Sequence, residues 1–161
     1  MQGCGIVLAQ INLPEPFLKT VIIGVAFGSI VVFVKAPLRF GARNDEGIIW
    51  YNLLILVCLA LGVPLRILFP VFIVDPVAWL AGTSLPSKRW CGKKTVIGTF
   101  AAAVAAYFCL FYVENWKHRL LLTLTIALFE GIMGKHDNIG VGVVVLLYYG
   151  LAQKFVFPLT L

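Results

Sequence analysis

Asp75, Lys93, Lys94, Glu130, Asp137 and Asn138 are the residues of this chain whose types suit phosphate chemistry. Carboxylates supply the hard oxygen donors that magnesium takes together with water and substrate phosphates. Lysines neutralise the remaining phosphate charge through charge-assisted hydrogen bonds. The run Gly92-Lys93-Lys94-Thr95 leads into an apolar segment, and the first turn of a helix presents unpaired N–H groups to an anion. Such a set points to an anionic phosphate ligand handled with a divalent cation. The plainer alternative is a basic loop lying against anionic lipid headgroups.

These residues must be positioned by apolar helices. Of 161 residues, 61% are hydrophobic and 12% charged. The mean hydropathy is +0.98. That composition is too oily for a water-soluble domain and predicts an all-α integral membrane protein, a single transmembrane domain over 1–161. A hydrocarbon core of about 30 Å asks for roughly 20 apolar residues per helix, and about five such helices are expected. They run over Phe17–Val34, Ile48–Val74, Thr95–Val113, Arg119–Met133 and Ile139–Phe157. The first carries Gly24 and Gly28 at a spacing that suits either close helix contact or a lipid-facing side. The second contains Pro64 and Pro70 and should be kinked or broken towards its end.

The fourth segment is short: fifteen residues at 1.5 Å each reach about 22 Å. Its end, with Glu130, should lie below the headgroups or be shielded by protein. A carboxylate there is a functional-site hypothesis by default; the alternative is a carboxylate neutralised by a basic neighbour such as Lys135. Five spans put successive loops on alternating faces. A basic polar loop at 75–94 and the turn Gly134-Lys135-His136-Asp137-Asn138 then share one face. Asp75, Lys93, Lys94, Glu130, Asp137 and Asn138 converge there, although Asp75 and Asn138 are 63 residues apart.

Three ordered motifs carry a resemblance. Asp75-Pro-Val-Ala-Trp-Leu-Ala-Gly82, then Gly92-Lys93-Lys94-Thr95-Val96-Ile97-Gly98-Thr99, then Glu130 with Asp137-Asn138 before a last apolar helix, resemble the polyprenol kinase family. That family includes dolichol kinase, phytol kinase and the CTP-dependent diacylglycerol kinase, with a more distant likeness to phosphatidate cytidylyltransferase. The resemblance covers Asp75 to about Ala152. It implies transfer of phosphate from CTP to the hydroxyl of a membrane lipid, with Mg2+. Asp75 and Asp137 would be metal ligands or the catalytic base, with Glu130 a further metal ligand. Lys93, Lys94, Thr95, Gly98 and Asn138 would hold the nucleotide.

The sequence departs from the family pattern in three places. Ile97 stands where the family has Glu, Val74 where it has Gly, and no proline follows Asp137-Asn138. Two functions follow: a CTP-dependent lipid kinase, or a catalytically silent relative that serves as a structural or lipid-binding subunit of a membrane assembly such as a respiratory complex.

Other chemistries fit less well. His118 and His136 fall at helix ends on opposite faces, which argues against haem ligation. Cys4, Cys58, Cys91 and Cys109 form no Cys-x-x-Cys and read as reduced packing residues. A net charge of +6 in so apolar a chain points to membrane lipids or acidic partner subunits and not to nucleic acid. The endoplasmic reticulum and the mitochondrial inner membrane both suit it. Residues 1–16, with Pro14 and Pro16, read as an extended lead-in without the basic start of a secretory signal.

Overall fold

The computed structural model describes residues 15–35 and 46–155, and the described chain is mostly helical. Most of the expected lead-in lies outside the described residues; Glu15 and Pro16 already belong to the first helix. Packing divides the chain into two compact units, Met1–Arg66 and Ile67–Leu161. Among the described residues one helix, Leu65–Ser84, is long and apolar enough to cross a membrane. Lys19–Val34, Gly47–Ala60 and Val96–Cys109 are apolar but shorter.

In the first unit, α1 (Glu15–Lys35) and α2 (Glu46–Ala60) pack on each other. The buried positions of α1 are Ile22, Ala26 and Phe33, which recur at helical spacing on one face. Gly24 and Gly28 are exposed, with open space where a Cβ would stand, so they are not the contact stripe.

The segment Ile48–Val74, expected to be kinked or broken towards its end, is broken into two helices. Gly62 adopts a left-handed φ of 67°, and the Val63 N–H donates to the Cys58 carbonyl at 2.8 Å. This closes α2 with a glycine C-cap, and Pro64 follows, where a helix cannot continue. A 3-10 turn, Leu65–Leu68, then leads into α3 (Phe69–Ser84), with Pro70 in the first turn, where its missing N–H costs nothing.

Asp75 to Ser84, expected in the polar loop, therefore form the second half of α3. Pro76 forfeits one helical hydrogen bond, but buried Val71, Val74 and Ala78 keep the helical register through it. The loop shrinks to residues 85–88, followed by a hairpin that the all-helical expectation omitted. Strands β1 (Arg89–Cys91) and β2 (Lys94–Thr95) pair antiparallel around the turn Gly92-Lys93. Gly92 has a φ of 53°, as the two-residue hairpin turns require.

The rest of the second unit is α4 (Val96–Cys109), α5 (Trp116–Ile132), a 3-10 turn (Gly134–His136) and α6 (Asp137–Phe155). The helix expected to reach Val113 stops at Cys109. Leu110, Tyr112 and Val113 are buried in the connection, and the Arg119 guanidinium donates to the carbonyls of Val113 at 2.9 Å and Phe111 at 2.8 Å. Packing runs α3 on α4, α4 on α5, α5 on α6, and α6 back on α3, so the four helices close a ring. Residues 156 and 157 of the last expected helix lie outside the described residues.

Candidate functional site

Four elements of the second unit each bring one charged side chain to a common point. α3 supplies Asp75 and β2 supplies Lys94. α5 turns Leu122, Thr123, Ile126, Ala127, Glu130 and Gly131 inward, so Glu130 continues the core stripe of its helix. Its exposure is 1%, although Phe129, Ile132 and Met133 around it at the helix end are exposed. α6 begins with Asp137, whose charge suits a helix N-terminus. One of its oxygens, Oδ1, accepts the Asn138 N–H at 2.8 Å.

Close packing sets the approach. At the α3–α4 crossing, a Cβ on Gly82 would stand 2.7 Å from Thr95 Oγ1, and one on Gly98 would stand 3.0 Å from the Ala78 carbonyl. Trp90, which sequence reading missed, anchors the hairpin. Its indole N–H donates to Thr99 Oγ1 at 2.7 Å, and its ring fills the space beside Gly131 where a side chain would otherwise stand. The hairpin turn then separates two adjacent lysines: Lys93 is exposed, while Lys94 is half-buried and turned to the carboxylates.

The Lys94 ammonium is in hydrogen-bonding contact with Glu130 Oε1, 3.1 Å from Asp137 Oδ2 and 3.7 Å from Asp75 Oδ1. One oxygen from each carboxylate lies within 4.8 Å of the other two. Burial opposes the ammonium, but the hydrogen bond to Glu130, its charge and then that of Asp137 outweigh it. The Lys94 pKa is thus held above its ordinary 10.5. The neutraliser of Glu130 is Lys94, 36 residues away; the side chain of Lys135 lies outside the described residues.

The trio has the donors a magnesium ion prefers, three hard carboxylates. Its shared centre, however, is taken by an ammonium that reaches all three. As arranged, the cage fits Lys94 and not a resident divalent ion.

Beside the cage lies a cleft of about 170 Å³ whose lining includes Asp75, Thr83, Lys93, Lys94, Thr99 and Glu130. Asp137 and Asn138 do not line it. Asp137 sits behind Lys94, and Asn138 enters the site through its backbone N–H. Thr95 and Gly98 do line the cleft, but the α4 start is not the open anion trap expected of it. The Val96 N–H donates to the Lys88 carbonyl at 3.0 Å, that of Ile97 to Ser87 Oγ at 3.0 Å, and that of Gly98 to Thr95 Oγ1 at 3.1 Å. With those amides satisfied, Lys93 is the cation left to meet an anion in the cleft.

Ile97 does not border the cleft. It lines a separate apolar groove of about 670 Å³ along α3 and α4, with Phe69, Ile73, Val77, Ala81 and Phe108. The two spaces share no lining residue. Position 97 is therefore no part of the cage. No protein-family model, no curated protein and no solved structure matches this chain.

Proposed function

We propose that this chain is a membrane-embedded phosphotransferase of the polyprenol kinase type, moving the terminal phosphate of CTP to the hydroxyl of a membrane lipid. The observation that carries the reading is the meeting of Asp75, Lys94, Glu130 and Asp137, drawn from four elements, beside a cleft that also holds Lys93. The membrane setting rests on composition and on surface character. Phe100, Phe108, Leu121, Leu147 and Leu151 are among many large apolar side chains left exposed, more than a water-soluble surface carries. On this reading the described helices, including those shorter than a full span, sit in a bilayer that supplies the lipid substrate.

A cleft of about 170 Å³ is below the roughly 300 Å³ of ordinary ligand pockets. It takes the phosphates, and the nucleoside lies outside, over the hairpin. Lys93 binds the phosphates. Asp75, with 45% of its side chain exposed and bordering the cleft, accepts the proton of the lipid hydroxyl. The hydroxyl oxygen forms the new O–P bond, the terminal phosphoanhydride bond breaks, and CDP leaves. Positioning and charge stabilisation supply most of the rate in such transfers. The groove on α3 and α4 suits the hydrocarbon chain.

A second reading, a silent lipid-binding subunit of a larger membrane assembly, is favoured by one observation: Lys94 borders the cleft, but its ammonium is engaged by three carboxylates. The purified chain in lipid vesicles, given terminally labelled CTP, magnesium and a panel of polyprenols and diacylglycerols, separates the two. The kinase reading expects label in a lipid and its loss in Asp75→Asn. No labelled lipid, or labelling unchanged by Asp75→Asn, counts against it.

A further inference from the structure

The hydrogen-bond accounting of the cage is incomplete at one atom. Lys94 has three N–H donors, and the three carboxylates each bring one oxygen to its ammonium. Of the second oxygens, Asp137 Oδ1 accepts the Asn138 N–H, and Asp75 is exposed enough for water. Glu130 Oε2 is buried and accepts nothing. Three carboxyl groups also converge on that one ammonium. A buried acceptor without a donor and three converging hard oxygens are both features of a cation site.

We infer that Lys94 is a built-in stand-in for a divalent cation: its ammonium occupies the position that Asp75, Glu130 and Asp137 are arranged to give a metal ion, and keeps such an ion out. The ammonium is held from the hairpin, an element separate from the helices that carry the carboxylates. Its removal therefore leaves α3, α5 and α6 to present the same oxygens. An ion in its place takes an oxygen from each residue, and binding Glu130 through both oxygens would give Oε2 the partner it lacks. Repulsion between two cations at this separation is large in a half-buried setting, so ammonium and ion exclude each other. The inference does not depend on the phosphotransfer reading, because it concerns cation occupancy alone.

The probe is Mn2+, followed by the loss of the free-ion electron paramagnetic resonance signal, with the full chain in detergent and no nucleotide. Wild type is expected to leave Mn2+ free at concentrations where Lys94→Met takes up one equivalent, an affinity gain of at least about tenfold. Lys94→Met combined with Glu130→Gln is expected to lose that gain. Should Lys94→Met fold poorly because its carboxylates repel, added Mn2+ is expected to raise its melting temperature while leaving the wild-type value unmoved. Wild type binding Mn2+ as tightly as Lys94→Met overturns the inference. So does a Lys94→Met chain that neither binds the ion nor is stabilised by it.

Discussion

Gly131→Ala tests how the hairpin is held, and through it how Lys94 is aimed. A Cβ at this position would overlap Trp90 Cζ2 and stand 3.0 Å from Cη2, where carbon atoms ordinarily rest about 3.5–4.0 Å apart. The indole is rigid, and its N–H is tied to Thr99 Oγ1 at 2.7 Å, so the ring can yield only by giving up that bond. Overpacking of this kind costs about 1–3 kcal/mol, and a lost hydrogen bond adds about 1 kcal/mol. The expected destabilisation is about 2–4 kcal/mol, measured by denaturant unfolding in mixed micelles with circular dichroism. In a Trp90→Ala background the clash is gone, and the same substitution should cost less than about 0.5 kcal/mol. A Gly131→Ala chain as stable as wild type, or an equal penalty in both backgrounds, would refute the anchoring role of Trp90. Gly140→Ala supplies the contrast. Its Cβ would meet the Met133 sulfur, on a flexible side chain that can move aside, and stand 3.0 Å from Cδ1 of the exposed Phe129 ring, which no side-chain hydrogen bond ties down, so its penalty should be smaller than that of Gly131→Ala.

Ile97→Glu supplies the carboxylate that the resemblance to polyprenol kinases leads one to expect, but places it in the apolar groove, away from the cage. It should destabilise the chain by about 1–3 kcal/mol and leave phosphotransfer no higher; a gain in transfer would mean that position 97 serves the cleft. The fold binds the Lys94 proton more tightly than the unfolded chain does, since the folded pKa lies above 10.5. The stability that this pairing contributes is fully present below pH 10.5 and fades as pH climbs through the raised value. The stability difference between wild type and Lys94→Met should accordingly begin to shrink only above about pH 10. A difference that already shrinks between pH 8 and 9 would show that Lys94 is not held by the carboxylates.

Much of the helical plan is legible in the sequence, because apolar runs and their polar breaks report helices directly. The ends of α1 and α5 fall within a few residues of expectation. Asp75-Pro76 misleads, because an acidic residue before proline ordinarily marks a turn; here Val71, Val74 and Ala78 hold the helix through it. The break at Gly62 depends on a left-handed backbone conformation that an apolar run conceals. Glu130 could have been placed from its spacing to Thr123, Ile126 and Ala127, which puts it on the buried stripe of α5. Its partner could not, because the contact with Lys94 spans 36 residues and depends on a hairpin turn of two residues. Ile97 shows the opposite limit. Read as a string it lies close to Lys94 and Thr95, whereas the helix turns it to another face.

Lys94 sits among three carboxylates, and double-mutant cycles measure that arrangement pair by pair. Lys94→Met is combined in turn with Glu130→Gln, Asp137→Asn and Asp75→Asn, and each coupling is read from unfolding in mixed micelles. Glu130, at 1% exposure and in direct hydrogen-bonding contact, should couple most strongly, by about 2–3 kcal/mol. Asp137, at 3.1 Å with its side chain 12% exposed, should follow at about 1–2 kcal/mol. Asp75, at 3.7 Å and 45% exposed, should couple by less than about 1 kcal/mol because solvent screens it. That order is the predicted result. Strongest coupling at Asp75, or none at Glu130, would contradict the cage.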